Sequence, residues 1–370
     1  MNRLIRGVTL AAALTLSAGG VRAQDIPVAV VGPVTGSNAA LGEQMTRGAN
    51  MAVADINAKG GVLGKKLALI IADDACDPKQ AVSAANDVVG KNVVFVAGHY
   101  CSSSSIPASA VYHEAGILQI TPASTNPALT DDAAKKGWNN VFRSCGRDDV
   151  QGGIAGKYLA DHFKGKRVAI IHDKTAYGKG IADETKKAMN AAGLTEAMYE
   201  AITQGDKDFS ALISKMKQAN IDAIYFGGYQ TEAGLIVRQA REQGLKAQFI
   251  GADALVTEEF WKISGPAGDG TLMTFPPDPR NVPAAKTVVD KFTAEGYNPE
   301  GYTLYTYAAI QAFAAAANKA KSLKVDELSK TLRSMTVDTV IGPLSWDKKG
   351  DVSDPKYVFY VWRDGKYAQI

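Results

Sequence analysis

The strongest constraint on the fold is an alternation of short apolar stretches with segments that carry apolar residues at helical spacing. The predicted strands are Ile26–Gly32, Leu67–Ala72, Val93–Gly98 and Ile117–Thr121, and the predicted helices between them are Gln44–Ala58, Pro78–Val89 and Pro107–Ala115. Strands and helices that alternate in this way form an open parallel sheet with helices on both faces. We therefore expect an α/β fold.

The same pattern begins again after Val141-Phe142-Arg143, which indicates a second sheet. Its predicted strands are Arg167–His172, Ala223–Phe226 and Gln248–Gly251, and its predicted helices are Val150–Phe163, Ala176–Ala192, Phe209–Ala219 and Glu232–Gln243. A mature chain of roughly 350 residues also exceeds the size of one hydrophobic core. Two α/β domains are therefore expected.

The C-terminal part of the chain breaks this alternation. Thr271–Phe275, followed by Pro276–Pro279, has the character of a segment that crosses between domains. After it come two predicted helices and late strands, at Ala284–Glu295, Tyr302–Lys319, Val337–Leu344 and Tyr357–Trp362. This order predicts that the chain returns to complete an earlier domain.

The N-terminal residues have the composition of a secretory signal peptide. Arg3 and Arg6 precede an apolar run that is too short to span a bilayer, and small residues lead to an expected cleavage after Ala23. Removal of residues 1–23 takes away three arginines and lowers the 41 basic residues to 38, which equals the 38 acidic residues. A neutral mature chain argues against a nucleic-acid or polyanion partner. We expect an exported protein.

A polar turn with Cys101 and four serines, Ser102–Ser105, follows the strand at Val93–Gly98. We expect the next helix to begin at Ile106-Pro107, because proline is tolerated in the first turn of a helix. The free N–H groups and the positive end of the helix dipole would attract a carboxylate or a phosphate. Thr125 follows the next strand in a turn of the same kind, so Ser102 and Thr125 could bind one carboxylate together. The alternative is that both residues only cap helices.

Asp253 follows the strand at Gln248–Gly251, at the strand end where open α/β sheets bind ligands. An acid at the edge of a cleft suits an ammonium group, because a buried charge must be paired. The alternative is an Asx-type turn. Tyr177, Tyr229 and Tyr302 could form aromatic walls with hydroxyl groups, although core packing is the commoner role of a single tyrosine.

The chain has three cysteines, Cys76, Cys101 and Cys145. An oxidising compartment favours one disulfide and one leftover thiol. Cys76 and Cys101 each follow a predicted strand closely, so they could form a bridge if those strands are neighbours. Cys145 is then a buried free thiol, and a catalytic cysteine is the alternative.

Signatures of catalysis are sparse in the sequence. It contains no G-x-S-x-G, no H-E-x-x-H and no P-loop. His99 beside Cys101 and Ser102 is the one enzyme-like grouping, and activation of a serine by a histidine three residues earlier depends on geometry. We expect a protein that is not an enzyme and that has neither a metal nor a cofactor.

Six segments, in order along the mature chain, match the sequence motifs of a known protein family. They are Asp55–Gly61, Asp73–Pro78, Cys101–Ser104, Ile170–Lys174 with Tyr177-Gly178, Phe226–Tyr229 and Ile341–Leu344. With them the chain resembles the periplasmic leucine/isoleucine/valine-binding proteins of ABC transporters. The resemblance implies a type I periplasmic binding protein fold, in which three hinge crossings join two α/β lobes around the ligand cleft. The implied N-terminal lobe is 24–143 plus 276–345, and the implied C-terminal lobe is 144–275 plus 346–370.

The resemblance also implies roles for individual residues. The carboxylate site of the family matches Ser102, Thr125 and the backbone of Ala123. The remaining matches are the ammonium site at Asp253 and Tyr177, the aromatic lining at Tyr229 and Tyr302, and the disulfide between Cys76 and Cys101.

Two departures from the family pattern bear on specificity. Asp253 stands where leucine-binding members have glutamate, and Leu41 stands where the best-known members have an aromatic residue. We expect a periplasmic monomer that delivers an α-amino acid to an ABC-type permease in the inner membrane. Branched aliphatic amino acids are favoured, and the departures leave a broader or different amino acid open. The alternative from another class is a sensing module that uses the same cleft to signal to a receptor or regulator.

Overall fold

The structure is a computed structural model that describes residues 25–370. The predicted signal peptide at 1–23 lies outside the described residues. A first sheet consists of parallel strands in the order β2-β1-β3-β4-β5. These strands are β1 (Ile26–Gly32), β2 (Leu67–Asp73), β3 (Phe95–Gly98), β4 (Leu118–Thr121) and β5 (Val141–Arg143).

The register of the first sheet explains its apolar sequence. Val30 of β1 pairs with Ala97 of β3, Ala97 pairs with Ile120 of β4, and Ile120 pairs with Phe142 of β5. All four side chains are buried. Helices cover both faces of a parallel sheet, so its central strands read as continuous apolar runs.

The second sheet has the strand order β14-β13-β10-β9-β8-β6-β7, and β13 and β14 run antiparallel to their neighbours. The strands of this sheet are β6 (Val168–His172), β7 (Met198–Ala201), β8 (Ala223–Gly227), β9 (Gln248–Gly251), β10 (Leu272–Phe275), β13 (Val358–Arg363) and β14 (Lys366–Gln369). Two further strands, β11 (Val337–Thr339) and β12 (Gly342–Leu344), form a separate two-stranded ribbon.

The helices lie between these strands and pack on the two sheets. They are α1 (Ala39–Ala58), α2 (Pro78–Gly90), α3 (Ser102–Glu114), α4 (Ala128–Lys135), α5 (Asp148–His162), α6 (Ala176–Ala191), α7 (Ser210–Gln218), α8 (Gln230–Glu242), α9 (Glu258–Ser264), α10 (Lys286–Ala294), α11 (Thr303–Ala320) and α12 (Val325–Arg333). Within residues 25–370, none of them combines the length and the apolar character needed to cross a membrane.

The chain returns to the first sheet through α11. Phe313 of α11 stacks on Phe95 of β3 with ring centroids 4.4 Å apart. Helix α1 approaches α11 closely at Gly48, where an added Cβ would lie 2.2 Å from the carbonyl oxygen of Thr303. This contact places Tyr302, which directly precedes α11, beside the first sheet.

The predicted crossing segment consisted of Thr271–Phe275 and Pro276–Pro279, and for Thr271–Phe275 the prediction was wrong, whereas a crossing at Pro276–Pro279 stays a prediction. Leu272–Phe275 is β10, which is fully buried and pairs with β9 on one side and with β13 on the other. Pro276 and Pro277 end the strand because proline has no N–H to donate to a neighbouring strand.

Residues 346–350, which begin the segment expected to form the third crossing, keep contact with the first sheet. The indole Nε1 of Trp346 donates to the carbonyl of Arg143 at 2.6 Å, and the N–H of Arg143 donates to the carbonyl of Gly350 at 3.0 Å. Residues 346–350 therefore run beside β5 before β13 joins the second sheet. The residue boundaries of the two lobes stay a prediction.

Candidate functional site

The candidate site lies where the carboxyl ends of strands from both sheets meet, as open α/β sheets place their ligands. In the first sheet, β3 leads to Ser102 and β4 leads to Ala123 and Thr125. In the second sheet, β6, β8 and β9 lead to Tyr177, Tyr229 and Asp253. These residues and Tyr302 are all buried.

Asp253 joins the two sides of the site. Its carboxylate accepts a hydrogen bond from the hydroxyl of Tyr177 at 2.9 Å and one from the hydroxyl of Tyr302 at 2.7 Å. Tyr177 lies on the same side as Asp253, whereas Tyr302 comes from the side of the first sheet. Within residues 25–370, Asp253 forms no ion pair. Burial raises the pKa of this carboxyl, and the two tyrosine hydroxyls act in the opposite direction.

The position of Tyr177 follows from the way α6 begins. Thr175 is the N-cap residue, and its Oγ1 accepts a hydrogen bond from the N–H of Gly178 at 2.9 Å. The Oδ1 of Asp173 in turn accepts from the hydroxyl of Thr175 at 2.7 Å. A capped first turn therefore fixes Tyr177 next to Asp253.

Ser102 is the first residue of α3, so the prediction that this helix begins at Ile106-Pro107 was wrong. The serines form the first turn themselves, and Ser104 and Ser105 donate backbone hydrogen bonds to the carbonyl of Cys101 at 2.9 Å. Pro107 lies in the next turn, where it forgoes one intrahelical hydrogen bond. Ser102 is thus closer to the helix N-terminus than the sequence predicted.

The turn at Ala123–Asn126 lies against the start of α3. The hydroxyl groups of Ser105 and Ser124 are 2.7 Å apart, and the N–H of Asn126 donates to Ser102 Oγ at 3.2 Å. The Oγ1 of Thr125 is buried beside the buried carboxyl of Asp148, and the N–H of Asp148 donates to the carbonyl of Thr125 at 2.9 Å. Ser102 and Thr125 therefore lie together, as predicted, although their ligand roles stay a proposal.

Aromatic rings cluster around Asp253. The rings of Tyr177 and Tyr229 are 5.1 Å apart, and the buried hydroxyl of Tyr229 has no partner among the described residues. Tyr100 contacts Tyr302 edge to face at 5.5 Å. The sequence analysis did not select Tyr100, although its place just after β3 and beside Cys101 was an available signal.

Gln44 is a second residue that the sequence analysis did not select. Its Oε1 accepts from the N–H of Tyr302 at 2.9 Å, and its Nε2 donates to the carbonyl of Val256 at 3.3 Å. It is fully buried on α1. A polar residue among the apolar positions of a helix was the available signal, but its partners are too distant in sequence to be foreseen.

Other hydrogen bonds hold the two sheets' loops together around the site. Asn126 Nδ2 donates to the carbonyl of Ala176 at 2.6 Å. Gln230 Nε2 and Thr231 Oγ1 both donate to the carbonyl of Ser37 at 3.1 Å. The site is therefore enclosed between the lobes.

The predicted disulfide between Cys76 and Cys101 is confirmed, with the Cα atoms 5.5 Å apart. Cys145 is a buried free thiol, and burial raises its pKa, which disfavours the reactive thiolate.

His99 is bound on both ring nitrogens. Nδ1 lies 2.5 Å from Asp74 Oδ2, and Nε2 lies 2.8 Å from the Tyr112 hydroxyl. It is therefore not available as a base for Ser102. Within residues 25–370, no group of three or more His, Cys, Asp or Glu side chains is placed to hold a metal ion.

Comparisons with known proteins agree with this architecture. Residues 25–366 match the family model described as "Periplasmic binding protein". The chain is 50% identical to the Leu/Ile/Val-binding protein homolog 1 of Brucella suis biovar 1, over 99% of this chain and 98% of the relative. It is 51% identical to an amino acid binding protein of Pseudomonas aeruginosa, over 94% of this chain and 92% of the relative.

A solved structure supports the fold. The branched-chain amino acid transporter substrate binding protein LivJ of Streptococcus pneumoniae, in complex with isoleucine, superposes with a TM-score of 0.85 at 27% identity. The alignment covers 94% of this chain and 99% of that one. The expected two-lobed type I fold is thereby confirmed, and the chain belongs to the periplasmic binding protein family.

Proposed function

We propose that the protein is a periplasmic substrate-binding protein that captures a branched aliphatic α-amino acid and delivers it to an ABC-type permease. One observation carries the proposal. Asp253, a buried carboxylate that has no ion-pair partner in the described part of the chain, lies across the lobe interface from the hydroxyl-rich turns at Ser102 and Thr125. A zwitterion has the two charges that such an arrangement can hold.

The turns of the first sheet hold the ligand carboxylate. Ser102 Oγ and Thr125 Oγ1 supply hydrogen bonds, the N–H of Ala123 shares with the ligand a hydrogen bond that it donates to Thr121 Oγ1 at 3.2 Å, and the N-terminus of α3 adds a favourable dipole. The buried hydroxyl of Thr125 supports this role, because among residues 25–370 it faces the Asp148 carboxyl, whose pKa burial raises, and a charged ligand carboxylate is the stronger hydrogen-bond acceptor.

Asp253 and the hydroxyl of Tyr177 hold the ligand ammonium group. An ammonium would pair the buried carboxylate and offset the cost of its desolvation. Tyr302 connects Asp253 to the opposite lobe, so the ammonium site is complete only when the lobes close. The ligand shifts the hinge equilibrium because the closed form alone makes both sets of contacts.

The rings of Tyr229 and Tyr302 line the space for the ligand side chain. An apolar wall selects side chains by size, at about 1–3 kcal/mol for each methylene group. The names of the Brucella relative and of the LivJ complex support leucine, isoleucine and valine as the ligands.

Residues 1–23 direct export, and the mature protein works as a monomer in the periplasm. The family relationship and the basic, apolar leader support this location. A soluble carrier of this kind needs a membrane partner, which we propose is an ABC-type permease.

Thermal unfolding with a set of ligands tests the proposed function. At a concentration of 100 Kd, L-leucine, L-isoleucine or L-valine should stabilise the protein by about 2.7 kcal/mol. L-Leucinamide lacks the carboxylate and 4-methylpentanoate lacks the ammonium group. At the same concentration as leucine, both should therefore stabilise the protein far less. The same stabilisation by leucine and by either analogue would contradict the proposal.

A further inference from the structure

The turn that carries Thr125 is held from behind by a buried arginine that lies outside the predicted site. Arg143 is the last residue of β5, and its side chain is fully buried. Its Nη2 donates to the carbonyl of Asn126 at 2.6 Å, and its Nη1 donates to the carbonyl of Ser124. These carbonyls lie directly on either side of Thr125. The guanidinium group therefore clamps the backbone on both sides of this residue.

The remaining nitrogen of the guanidinium group, Nε, pairs with the carboxylate of Asp351, which lies between β12 and β13. Arg143 Nε donates to Asp351 Oδ1 at 2.8 Å. Asp351 also accepts from Arg147 at 2.7 Å and from the hydroxyl of Thr130 at 2.8 Å. Burial acts to raise the pKa of Asp351, but Arg143 and Arg147 hold it below its ordinary value. Asp351 is thus a buried negative charge that its two arginines compensate.

We propose that Arg143 is a positioning residue for the ligand carboxylate. It orients the turn that carries Thr125 and keeps the charge of Asp351 from repelling an anion bound at that turn. This inference rests on the proposed function, since it concerns the carboxylate end of the same site. Arg143 itself does not contact the ligand.

Replacement of Arg143 removes both effects at once. In Arg143→Met, the carbonyls of Ser124 and Asn126 lose a charged donor and keep, among residues 25–370, only those of Cys145 and Leu129, and Asp351 loses one of its compensating charges. We expect the affinity for the amino acid to fall by about tenfold to hundredfold. Arg143→Lys should give a smaller loss, because an ammonium group cannot reproduce the planar fork that reaches two carbonyls and a carboxylate together.

A ratio of affinities separates positioning from a general loss of structure. The Kd values of L-leucine, L-leucinamide and 4-methylpentanoate are measured by displacement calorimetry on the purified mature protein. In Arg143→Met, the preference for leucine over leucinamide should fall by about tenfold or more. The preference for leucine over 4-methylpentanoate should stay within about twofold, because both ligands lose the same carboxylate contact.

Arg147 provides the matched control. It pairs with the same Asp351 and with Asp131 and Asp149, but it does not contact the carbonyls of Ser124 or Asn126. Arg147→Met keeps the hydrogen bonds that Arg143 donates to Ser124 and Asn126 and removes only a charge beside Asp351, so it should lower the unfolding temperature and reduce the preference for leucine over leucinamide by less than about threefold, against about tenfold for Arg143→Met.

The outcomes distinguish this inference from the proposed function. If wild type prefers leucine but Arg143→Met keeps the full preference over leucinamide, the positioning role is overturned alone. If wild type does not distinguish leucine from leucinamide, the proposed function is overturned together with it. Should Arg143→Met fail to fold, the same criterion applies to Arg143→Lys and to Arg143→Met combined with Asp351→Leu, which leaves no uncompensated charge.

Discussion

The two ends of the proposed site treat charge in different ways. At the Asp253 end, a carboxylate lies in the site and is joined to Tyr177 and Tyr302 by hydrogen bonds. At the Thr125 end, hydroxyl and N–H groups lie in the site beside the buried Asp148 carboxyl, whose pKa burial raises, and the Arg143–Asp351 ion pair lies behind them. In the proposed function, a positive ligand group is thus met by a direct opposite charge, whereas a negative one is met by oriented dipoles.

The two ends also differ in how firmly they are held before a ligand arrives. The Cys76–Cys101 disulfide directly precedes Ser102, and the buried hydrogen bonds of His99 to Asp74 and Tyr112 lie beside it. The Asp253 carboxylate, by contrast, accepts one of its hydrogen bonds from Tyr302 of the opposite lobe, so its surroundings are complete only when the lobes are closed. We infer that the carboxylate end is preorganised and that closure assembles the ammonium end.

The largest expected effect is at Asp253. Asp253→Ala should weaken amino-acid binding by about 2–5 kcal/mol, because it removes the only ionised partner that we assign to the ammonium group. The ligand-free protein should lose little stability, since the variant also removes a desolvated acid. Calorimetry measures the affinity, and the exposed Asp290→Ala serves as the control. An affinity within about threefold of wild type would contradict the claim that Asp253 pairs with the ligand ammonium group.

The disulfide tests the claim that the carboxylate end is preorganised. Cys76→Ser combined with Cys101→Ser should lower the free energy of unfolding by about 3 kcal/mol, because the bridge closes a loop of 25 residues. Urea denaturation measures the change, and Cys145→Ala, which keeps the bridge, is the control. A loss below about 1 kcal/mol would mean that hydrogen bonds alone organise this end.

Single hydroxyl groups at the carboxylate end should matter less than Asp253. Ser102→Ala and Thr125→Val should each weaken binding by about 1–1.5 kcal/mol, since each removes one hydrogen bond to a charged group. Ser103 lies in the same helical turn and is partly exposed, so Ser103→Ala is the matched control. Equal affinities of Ser102→Ala and Ser103→Ala would contradict the carboxylate role of Ser102.

The smallest expected effect is a pH dependence at the Asp253 end. Burial raises the pKa of Asp253, so the folded ligand-free protein holds a proton that the unfolded chain releases above pH about 4. The contribution of Asp253 to stability therefore falls as pH rises above that value. An ammonium ligand favours the ionised acid, so its affinity should rise over the same range.

Proton release on binding is the measurement for this effect. Calorimetry in two buffers of different ionisation enthalpy, run at a series of pH values upward from about 4, should show release in wild type and less release in Asp253→Asn. Glu232, whose pKa burial also raises and which accepts from the N–H of Gly205 at 2.8 Å, supplies the control variant Glu232→Gln. Uptake of a proton in wild type would contradict the ammonium assignment.

Much of the fold could be predicted because its determinants are local. Val28–Val31 and Phe95–Gly98 read as buried strands, and the turns that follow carry Ser102 and Thr125. The disulfide and Asp253 were found in the same way, through their places at strand ends and the family resemblance. Thr271–Phe275 was misassigned because an apolar segment before prolines fits both a crossing and a strand.

The remainder depends on contacts between residues that are far apart in sequence. Arg143 and Asp351 are 208 positions apart, and Gln44 and Tyr302 are 258 positions apart. Neither Arg143 nor Gln44 lies in a recognisable motif, and the place of Gln44 among the apolar positions of a helix does not identify its partners. Only the folded chain shows which carbonyl groups they bind.

A crystal structure of the mature protein with L-leucine tests the central claim most directly. The account predicts that the ligand nitrogen lies within hydrogen-bond distance of the Asp253 carboxylate and the Tyr177 hydroxyl. It also predicts that the ligand carboxylate lies against Ser102 and Thr125, while Arg143 remains behind the turn without contact. A ligand bound in the reverse orientation, or with its ammonium group away from Asp253, would contradict the account.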